Sequence, residues 1–346
     1  MAMQIFTRGR GGYVVPSERP SSGVYKPSEV RRIHHFGVTP PNLEPFVPVP
    51  ALAANQYDPK VAYLTTLISA WAYSDGQTMA NQLPYYGLPN CTVREFTVVN
   101  SAMLIISAAY FVRSSDGRLG ILAFRGTVPN DILNWLTDAN TTLTNFHFGR
   151  IHTGVYRNVE PLWGPVAEEL DKATNPSTDL QNGGGSLAPL ENLYITGHSL
   201  GAAMAVIAAA RIFTSHYAAW QPLVRGVYTY GQPSVGDKNF ADEFQSRFSL
   251  FRHVFRDDVV PHLPPSDLGA FPHFGTEFYA ARPGDGWQQS KPSRTTQARL
   301  VTLAAAIAGA SFLARRLTVF DRLQLPYSLE DHGPQGYIDA SHASLR

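Results

Sequence analysis

The sequence predicts an α/β fold in which helices cover both faces of a mostly parallel central sheet. After residue 190, short apolar segments alternate with helical segments, which is typical of parallel strands joined by helices. Hydrophobic residues make up 44% of the 346 positions and aromatic residues 12%, enough to bury a substantial core. The alternating segments lie at 192–196, 200–216, 226–230, 237–248 and 250–256.

The first 50 residues contain eight prolines and no apolar period, so we predict an extended arm at 1–50. Arg8–Gly12 resembles an RNA-binding patch, but it is a single copy, and we expect no nucleic-acid partner. A helix is predicted to begin after Asp58, which precedes Pro59 as an N-cap precedes a first-turn proline. Its apolar residues recur at spacings of three and four: Val61, Leu64, Leu67, Ile68 and Trp71.

Residues 51–346 are predicted to form one domain, with an inserted helical element at about 286–320. Met103–Val112 and Leu119–Phe124 have the composition of two strands, and 160–173 has the pattern of an amphipathic helix. Within the insertion, Leu300–Ala314 is almost wholly apolar, but its 15 residues fall short of the ~20 that span a bilayer. We therefore expect a buried or cap-forming helix and no transmembrane segment, with a helix at a lipid interface as the alternative.

The charge and cysteine content exclude several classes of protein. The net charge of +1 provides no global field to draw the chain to nucleic acid or an anionic membrane. Cys91 is the single cysteine, so an intrachain disulfide cannot form. No apolar run of signal-peptide length follows Met1. We expect a cytoplasmic protein or one exported by a signal-independent route, and a secreted one if the N-terminus is processed.

The strongest motif is Gly197–Gly201, which has the form G-x-S-x-G with Ser199 at its centre. An apolar strand precedes it and an alanine-rich helical run follows, the setting of a nucleophile on a sharp strand-to-helix turn. The two glycines remove side chains that would clash there, and the helix directs N–H groups toward a developing oxyanion. The motif predicts that Ser199 is a nucleophile.

Besides the serine pentapeptide, five other segments have the form of motifs, namely Phe124–Thr127, Asn134–Trp135 with Asp138, His152–Gly154, Tyr230–Asp237 and Asp331–His332 with Tyr337 beyond. Together these motifs resemble the class 3 lipases, the fungal-type triacylglycerol lipases of the α/β-hydrolase superfamily. The resemblance extends from about residue 60 to 275 and returns at 331–337. It implies an α/β-hydrolase fold with a lid helix and a Ser-His-Asp triad.

The triad partners must follow the serine in the order acid, then histidine. The family pattern of one Asp before an apolar pair and proline selects Asp258, with Asp257 as the alternative. His332 matches the terminal histidine motif, and His342 is the alternative. Two other histidines follow the predicted strand 250–256. His262 lies only four residues after Asp258, too close along the chain to reach the serine from the other side, and His273 is expected to pack within the fold. His198, beside the nucleophile, is expected to face away.

The oxyanion hole is expected to consist of the N–H groups of Leu200 and Thr127, with the Thr127 hydroxyl as a third donor. Residues 128–143 would form the lid, whose apolar face includes Ile132, Trp135 and Leu136. A lid of this kind could open at a lipid surface, and the alternative is a fixed surface helix. We expect no cofactor and no metal, because the sequence has neither H-E-x-x-H nor paired Cys-x-x-Cys motifs.

The expected activity is hydrolysis of carboxylic esters through an acyl-enzyme intermediate, with triacylglycerols as the leading substrates. Phospholipase A1 activity and short-chain or feruloyl-type esterase activity would use the same triad and remain alternatives. A hypothesis of another class is a non-catalytic lipid-binding protein on the same fold. The expected partner is a lipid or other ester, with transient contact at a lipid–water interface.

Overall fold

The computed structural model describes seven stretches of the chain, namely 5–7, 56–100, 105–126, 142–176, 187–263, 271–289 and 331–346. Most of the arm at 1–50, residues 128–141 of the predicted lid and the apolar helix Leu300–Ala314 lie outside the described residues. Leu143, the last residue of the predicted lid, begins a short strand. Of the arm, only Ile5–Thr7 is described, and it forms an edge strand of the sheet.

The strands of the described residues are β1 Ile5–Thr7, β2 Thr92–Asn100, β3 Ile105–Arg113, β4 Leu119–Phe124, β5 Leu143–Asn145, β6 Arg150–His152, β7 Asn192–His198, β8 Val224–Tyr230, β9 Leu250–Phe255 and β10 Thr276–Ala280. Eight of them form the central sheet, in the order β1-β2-β3-β4-β7-β8-β9-β10. The β4, β7, β8, β9 and β10 strands pair in parallel, whereas β1 to β4 pair in an antiparallel manner. A separate pair is formed by β5 and β6.

Helices cover both faces of this sheet, as the sequence predicts. The α-helices in the described part of the chain are α1 Pro59–Trp71, α2 Gly76–Gln82, α3 Thr153–Thr174, α4 Leu200–Ile212, α5 Lys238–Phe244 and α6 Pro334–Ala343. Short 3₁₀ helices occur at Leu83–Tyr86, Ser215–Leu223 and Val260–His262. Together with the parallel strands, this arrangement is an α/β-hydrolase architecture.

Strand β4 shows how side chains are divided between the two faces. Leu122 and Phe124 enter the core that α3 and α4 cover, whereas Ile121 and Ala123 enter the core beneath α1 and α6. Successive residues of a strand point to opposite faces, so one strand supplies both cores. Because both of its faces are buried, β4 is a continuous apolar run, Leu119–Phe124.

Helix boundaries follow local capping. The carboxylate of Asp58 accepts a hydrogen bond from the Lys60 amide at 2.7 Å, which confirms the N-cap predicted from the sequence. Helix α3 begins seven residues before the predicted 160, because His152 Nδ1 accepts the Gly154 amide and caps the helix there. The predicted helix 200–216 ends at Ile212, and Ser215–Leu223 continues as a 3₁₀ segment.

No single α-helix among the described residues has both the length and the apolar content that a bilayer crossing requires. Leu200–Ile212 and Ser215–Leu223 meet those criteria only when they are taken together, and they are bent by 111° relative to each other.

Several histidines are buried within the fold. Burial lowers the pKa of His152 to about 4 and that of His253 to about 3. Burial, and to a lesser degree the nearby His332, lowers the pKa of His198 well below its ordinary value. Desolvation disfavours the charged imidazolium, so these side chains stay neutral in the folded protein at pH values where an unfolded chain would bind protons.

The fold is therefore expected to lose stability as the pH falls below about 6.5, the unfolded pKa of histidine. Each histidine that remains neutral should cost about 2 kcal/mol of unfolding free energy between pH 6.5 and 5. Urea denaturation across this range measures the effect, and His152→Gln should reduce the proton uptake by about one. The slope of the unfolding free energy against pH gives the number of protons taken up on unfolding. An uptake of less than one proton would contradict the neutral state of these histidines in the folded protein.

Candidate active site

The proposed nucleophile lies on a strained turn between β7 and α4. Ser199 has φ 62° and ψ −131°, a left-handed conformation that is rare for residues other than glycine. Its amide donates to the carbonyl of Tyr230, at the end of β8, over 2.9 Å. Strain of this kind persists only where the surroundings hold it, and it directs the hydroxyl away from the sheet.

The two glycines of the motif allow the backbone to approach closely. A Cβ on Gly197 would overlap the backbone of Gly201, and a Cβ on Gly201 would overlap the carbonyl of Phe124. Phe124 ends β4, the neighbour of β7, so the serine turn is pressed against the next strand. No side chain larger than hydrogen fits at either position.

A hydrogen-bonded chain connects Ser199 to His332 and Asp258. His332 Nε2 lies 2.8 Å from Ser199 Oγ, and His332 Nδ1 lies 2.7 Å from Asp258 Oδ2. Each of the three residues is 0% exposed. Since a carboxylate can only accept, Nδ1 carries the proton and Nε2 is free to accept the serine proton.

Other groups hold the Asp258 carboxylate. The Tyr337 hydroxyl donates to Oδ2 at 2.5 Å, and the Val260 amide donates to Oδ1 at 2.9 Å. Burial and the neighbouring Asp258 raise the pKa of Tyr337 well above its ordinary value, so the phenol remains a donor. Both carboxylate oxygens are thus occupied, and the side chain has little freedom to turn away from the imidazole.

Gly231, in the segment that resembles a family motif, packs against the imidazole and the carboxylate. Its φ is +59°, and a Cβ there would lie 2.9 Å from His332 Cε1 and 3.0 Å from Asp258 Oδ2. Any other residue would be strained and would displace the pair. No role for this glycine was predicted from the sequence.

Both ring nitrogens of His198 lie within hydrogen-bond distance of groups other than Ser199, and the ring contacts the base. Its Nε2 donates to the carbonyl of His332 at 2.8 Å, and its Nδ1 lies 2.8 Å from the Tyr73 hydroxyl. The His198 and His332 rings are 4.7 Å apart. Because its pKa is lowered, His198 is neutral and adds no charge beside the imidazole. Its position next to the serine is the only sequence signal for this contact.

The structure brings together some of the predicted site residues and leaves others apart. Leu200 is the first residue of α4, where an N–H group can point toward a developing anion. Asp258 rather than Asp257 meets the imidazole. His342 packs against Tyr63 on α1, and His273 Nε2 donates to the carbonyl of Pro261.

Thr127, Ile132, Trp135 and Leu136 lie outside the described residues, so the predicted oxyanion threonine and lid face remain expectations. The adjacent Gly126 is described, and a Cβ on it would lie 3.1 Å from Ser199 Cβ. In the described ranges, no group of three or more His, Cys, Asp or Glu side chains is arranged to hold a metal ion.

Comparison with known proteins identifies related sequences. The family model described as Lipase (class 3) matches residues 121–268. A triacylglycerol lipase from Ricinus communis is 29% identical in an alignment that covers 53% of this chain and 42% of the relative. A secreted mono- and diacylglycerol lipase from Fusarium solani is 27% identical over 60% of this chain and 59% of its own length. A lipase from Rhizomucor miehei is 30% identical over 52% and 46%.

This chain spans about half the length of the curated relatives that it matches. Among solved structures, a deletion mutant of the Rhizomucor miehei lipase propeptide complex aligns with a TM-score of 0.52 at 20% identity, over 82% of this chain and 79% of the other. The lipase from Rhizopus microsporus var. chinensis aligns with a TM-score of 0.50 at 20% identity, over 72% and 83%. These two structures share the α/β-hydrolase fold with this chain.

The close approach at the serine turn predicts that Gly201→Ala destabilises the protein by about 3 kcal/mol, because the added methyl group meets backbone that cannot move aside. Gly164→Ala, in the exposed middle of α3, is the matched control, since nothing lies within 4 Å of its Cβ position. There the alanine should stabilise by about 0.5–1 kcal/mol. Chemical denaturation measures the free energy of unfolding of both variants. Equal effects would contradict the close backbone contact of Gly201.

Proposed function

We propose that this chain belongs to the class 3 lipase family, whose model matches residues 121–268, and that it hydrolyses carboxylic esters of lipids, with triacylglycerols as its main substrates. The observation that carries the proposal is the hydrogen-bonded chain from Ser199 through His332 to Asp258. A hydroxyl, an imidazole and a carboxylate in this order form the arrangement that activates a serine for acyl transfer.

In the first half of the proposed reaction, Ser199 Oγ attacks the ester carbonyl while His332 Nε2 takes the hydroxyl proton. The carbonyl oxygen becomes an oxyanion, and the Leu200 N–H at the start of α4 is proposed to stabilise it together with Thr127. The C–O bond to the alcohol then breaks, and His332 returns the proton to the departing alkoxide. The products of this half are an acyl-Ser199 ester and a free alcohol.

In the second half, a water molecule attacks the acyl-Ser199 ester and transfers a proton to His332 Nε2. Collapse of the tetrahedral intermediate releases a carboxylic acid and returns the proton to Ser199 Oγ. Asp258 stays ionised throughout, holds the imidazole in the Nδ1–H tautomer and stabilises the transient imidazolium. The mechanism needs only water as a co-reactant.

The names of the relatives support lipid esters as the substrate class. The Ricinus communis relative is named a triacylglycerol lipase, and the Fusarium solani relative a secreted mono- and diacylglycerol lipase. We propose by analogy that this protein acts at a lipid–water interface and that it is exported. The Fusarium solani relative is named a secreted enzyme, which supports the proposal of export.

A fluorophosphonate probe tests the nucleophile directly. Ser199 should be labelled in the native protein, because the probe reacts only with an activated serine, and Ser199→Ala should abolish the labelling. Mass spectrometry of the labelled peptide locates the site. Absence of labelling in the folded protein would instead support a non-catalytic lipid-binding role.

The same preparation identifies the substrate class through release of acid from emulsified triacylglycerols, phospholipids and p-nitrophenyl esters of increasing chain length. We expect long-chain triacylglycerols to be hydrolysed with the highest kcat/KM. A preference for phospholipids or for acetyl esters would replace the triacylglycerol assignment with phospholipase A1 or short-chain esterase activity.

Two adjacent carboxylates provide a matched pair for the acid. Asp258→Asn should lower kcat roughly 10²- to 10⁴-fold, because the amide favours the wrong imidazole tautomer. Asp257→Asn removes the same charge one residue away and should leave kcat within about threefold, since only its main-chain N–H enters the site network. Steady-state kinetics with one soluble ester compares them. Equal losses would show that charge near the site, rather than the His332 contact, matters.

A further inference from the structure

We propose that Asp331 and Arg256 are positioning residues that fix the main chain of His332, so that its imidazole meets Ser199 and Asp258 at reactive distances. The inference rests on the proposed function. Residues 256 and 257, in the turn that follows β9, both donate hydrogen bonds to the carboxylate of Asp331, the residue before the base. We call this pair of contacts the clamp.

The clamp consists of two donors on one carboxylate. Arg256 Nη1 donates to Asp331 Oδ1 at 2.7 Å, and the Asp257 amide donates to Asp331 Oδ2 at 3.3 Å. The Asp331 side chain is only 7% exposed. A charge-assisted contact at one oxygen and a main-chain contact at the other fix both the position and the rotation of the carboxylate.

The same turn also contacts the base itself. Asp258 follows Asp257 in the turn, and its carboxylate lies 2.7 Å from the imidazole of His332, the residue after Asp331. Residues 256–258 therefore make three hydrogen bonds to the dipeptide Asp331–His332. Displacement of the carboxylate of Asp331 would shift the backbone from which the imidazole projects.

The turn that makes the clamp is itself strained. In the described part of the chain, the non-glycine residues with positive φ are Asn90, Ser199 and Arg256. Asparagine tolerates this conformation, and Ser199 is the proposed nucleophile. Arg256, at φ 48°, is the outlier that calls for an explanation. Its amide donates to the carbonyl of Ala280 on β10 at 2.8 Å, which helps to hold the strained turn against the sheet.

The clamp has no evident purpose in stability. Burial raises the pKa of Asp331 above its ordinary value, and the attraction of Arg256 only partly offsets this effect. The ionised carboxylate is thus less favourable in the folded protein than in water. Arg256 is itself 39% exposed, which weakens the pair further. The buried Asp331 carboxylate and the strained backbone of Arg256 both reduce the stability of the fold, and both lie beside the proposed base. This combination indicates that the pair positions His332 rather than stabilises the fold.

Positioning matters here because His332 precedes α6 and lies in neither a strand nor a helix. Its location depends on contacts from other segments, among them the His198 contact to its carbonyl and the clamp on the preceding residue. A misplacement of about 1 Å can cost on the order of 10²-fold in rate. The loss should appear in kcat, because the clamp does not contact substrate in this proposal.

The test compares Asp331→Asn, Arg256→Gln and the double variant. An asparagine keeps the shape but has only one acceptor oxygen, so it cannot satisfy both donors. Each single substitution should lower kcat about tenfold with KM unchanged within about twofold. Both substitutions break the same interaction, so their effects should not add. The kcat of the double variant should therefore lie within about twofold of that of the less active single variant.

A similar pair away from the site provides the control. In the Arg150–Asp237 pair, the guanidinium lies 3.0 Å from one carboxylate oxygen and the Arg150 amide lies 3.1 Å from the other. Asp237→Asn should lower the free energy of unfolding at least as much as Asp331→Asn, since Asp237 also caps α5. It should leave kcat within about twofold.

The low-field NMR resonance of His332 Nδ1–H gives a readout that a structural role alone would not move. We expect Asp331→Asn to shift or broaden it and Asp237→Asn to leave it unchanged. Unchanged kcat and resonance in folded Asp331→Asn and Arg256→Gln, or multiplicative losses in the double variant, would overturn the clamp. If the native protein neither hydrolyses esters nor reacts with a fluorophosphonate, the proposed function fails instead.

Discussion

The site depends on the location of one buried imidazole between two groups that different parts of the fold supply. Ser199 lies at the end of β7 and Asp258 lies beyond the end of β9, whereas His332 lies on a segment outside the sheet. Both hydrogen bonds of the ring are short, and the three side chains are fully buried. A small shift of the ring would break at least one contact, so the surrounding structure must hold His332 at several points.

The parallel strands provide the rigid part of this arrangement. Parallel neighbours bring their carboxyl ends to one edge of the sheet, which places the turns after β7, β8 and β9 side by side. The strained backbone of Ser199 is fastened to Tyr230 at the end of β8, and Gly231 follows at that edge with no side chain to displace the imidazole. Strain at the serine is therefore tolerated because the neighbouring strands fix the surrounding backbone.

Electrostatics inside the site are arranged around a single transient charge. His198, 4.7 Å from His332, is kept neutral by burial, and so does not oppose formation of an imidazolium. The carboxylate of Asp258 receives hydrogen bonds from Tyr337 and Val260, one on each oxygen. The charge that Asp258 stabilises in the proposed reaction is the one that forms on the base.

The sequence alone identified the sheet and the strand–turn–helix around Ser199, because alternating apolar segments and glycines at fixed spacing are local signals. It also singled out Asp258 and His332 through motifs and chain order, and the structure places the His332 imidazole between Ser199 and Asp258. It assigned no role to Tyr73, Gly231, Arg256 or Asp331, and it missed the contact between His198 and the carbonyl of His332. These residues lie far from their partners along the chain, and the sequence around each one does not indicate which residue it contacts. Only tertiary structure decides such contacts, because they arise when separate strands and loops are brought to one edge of the sheet.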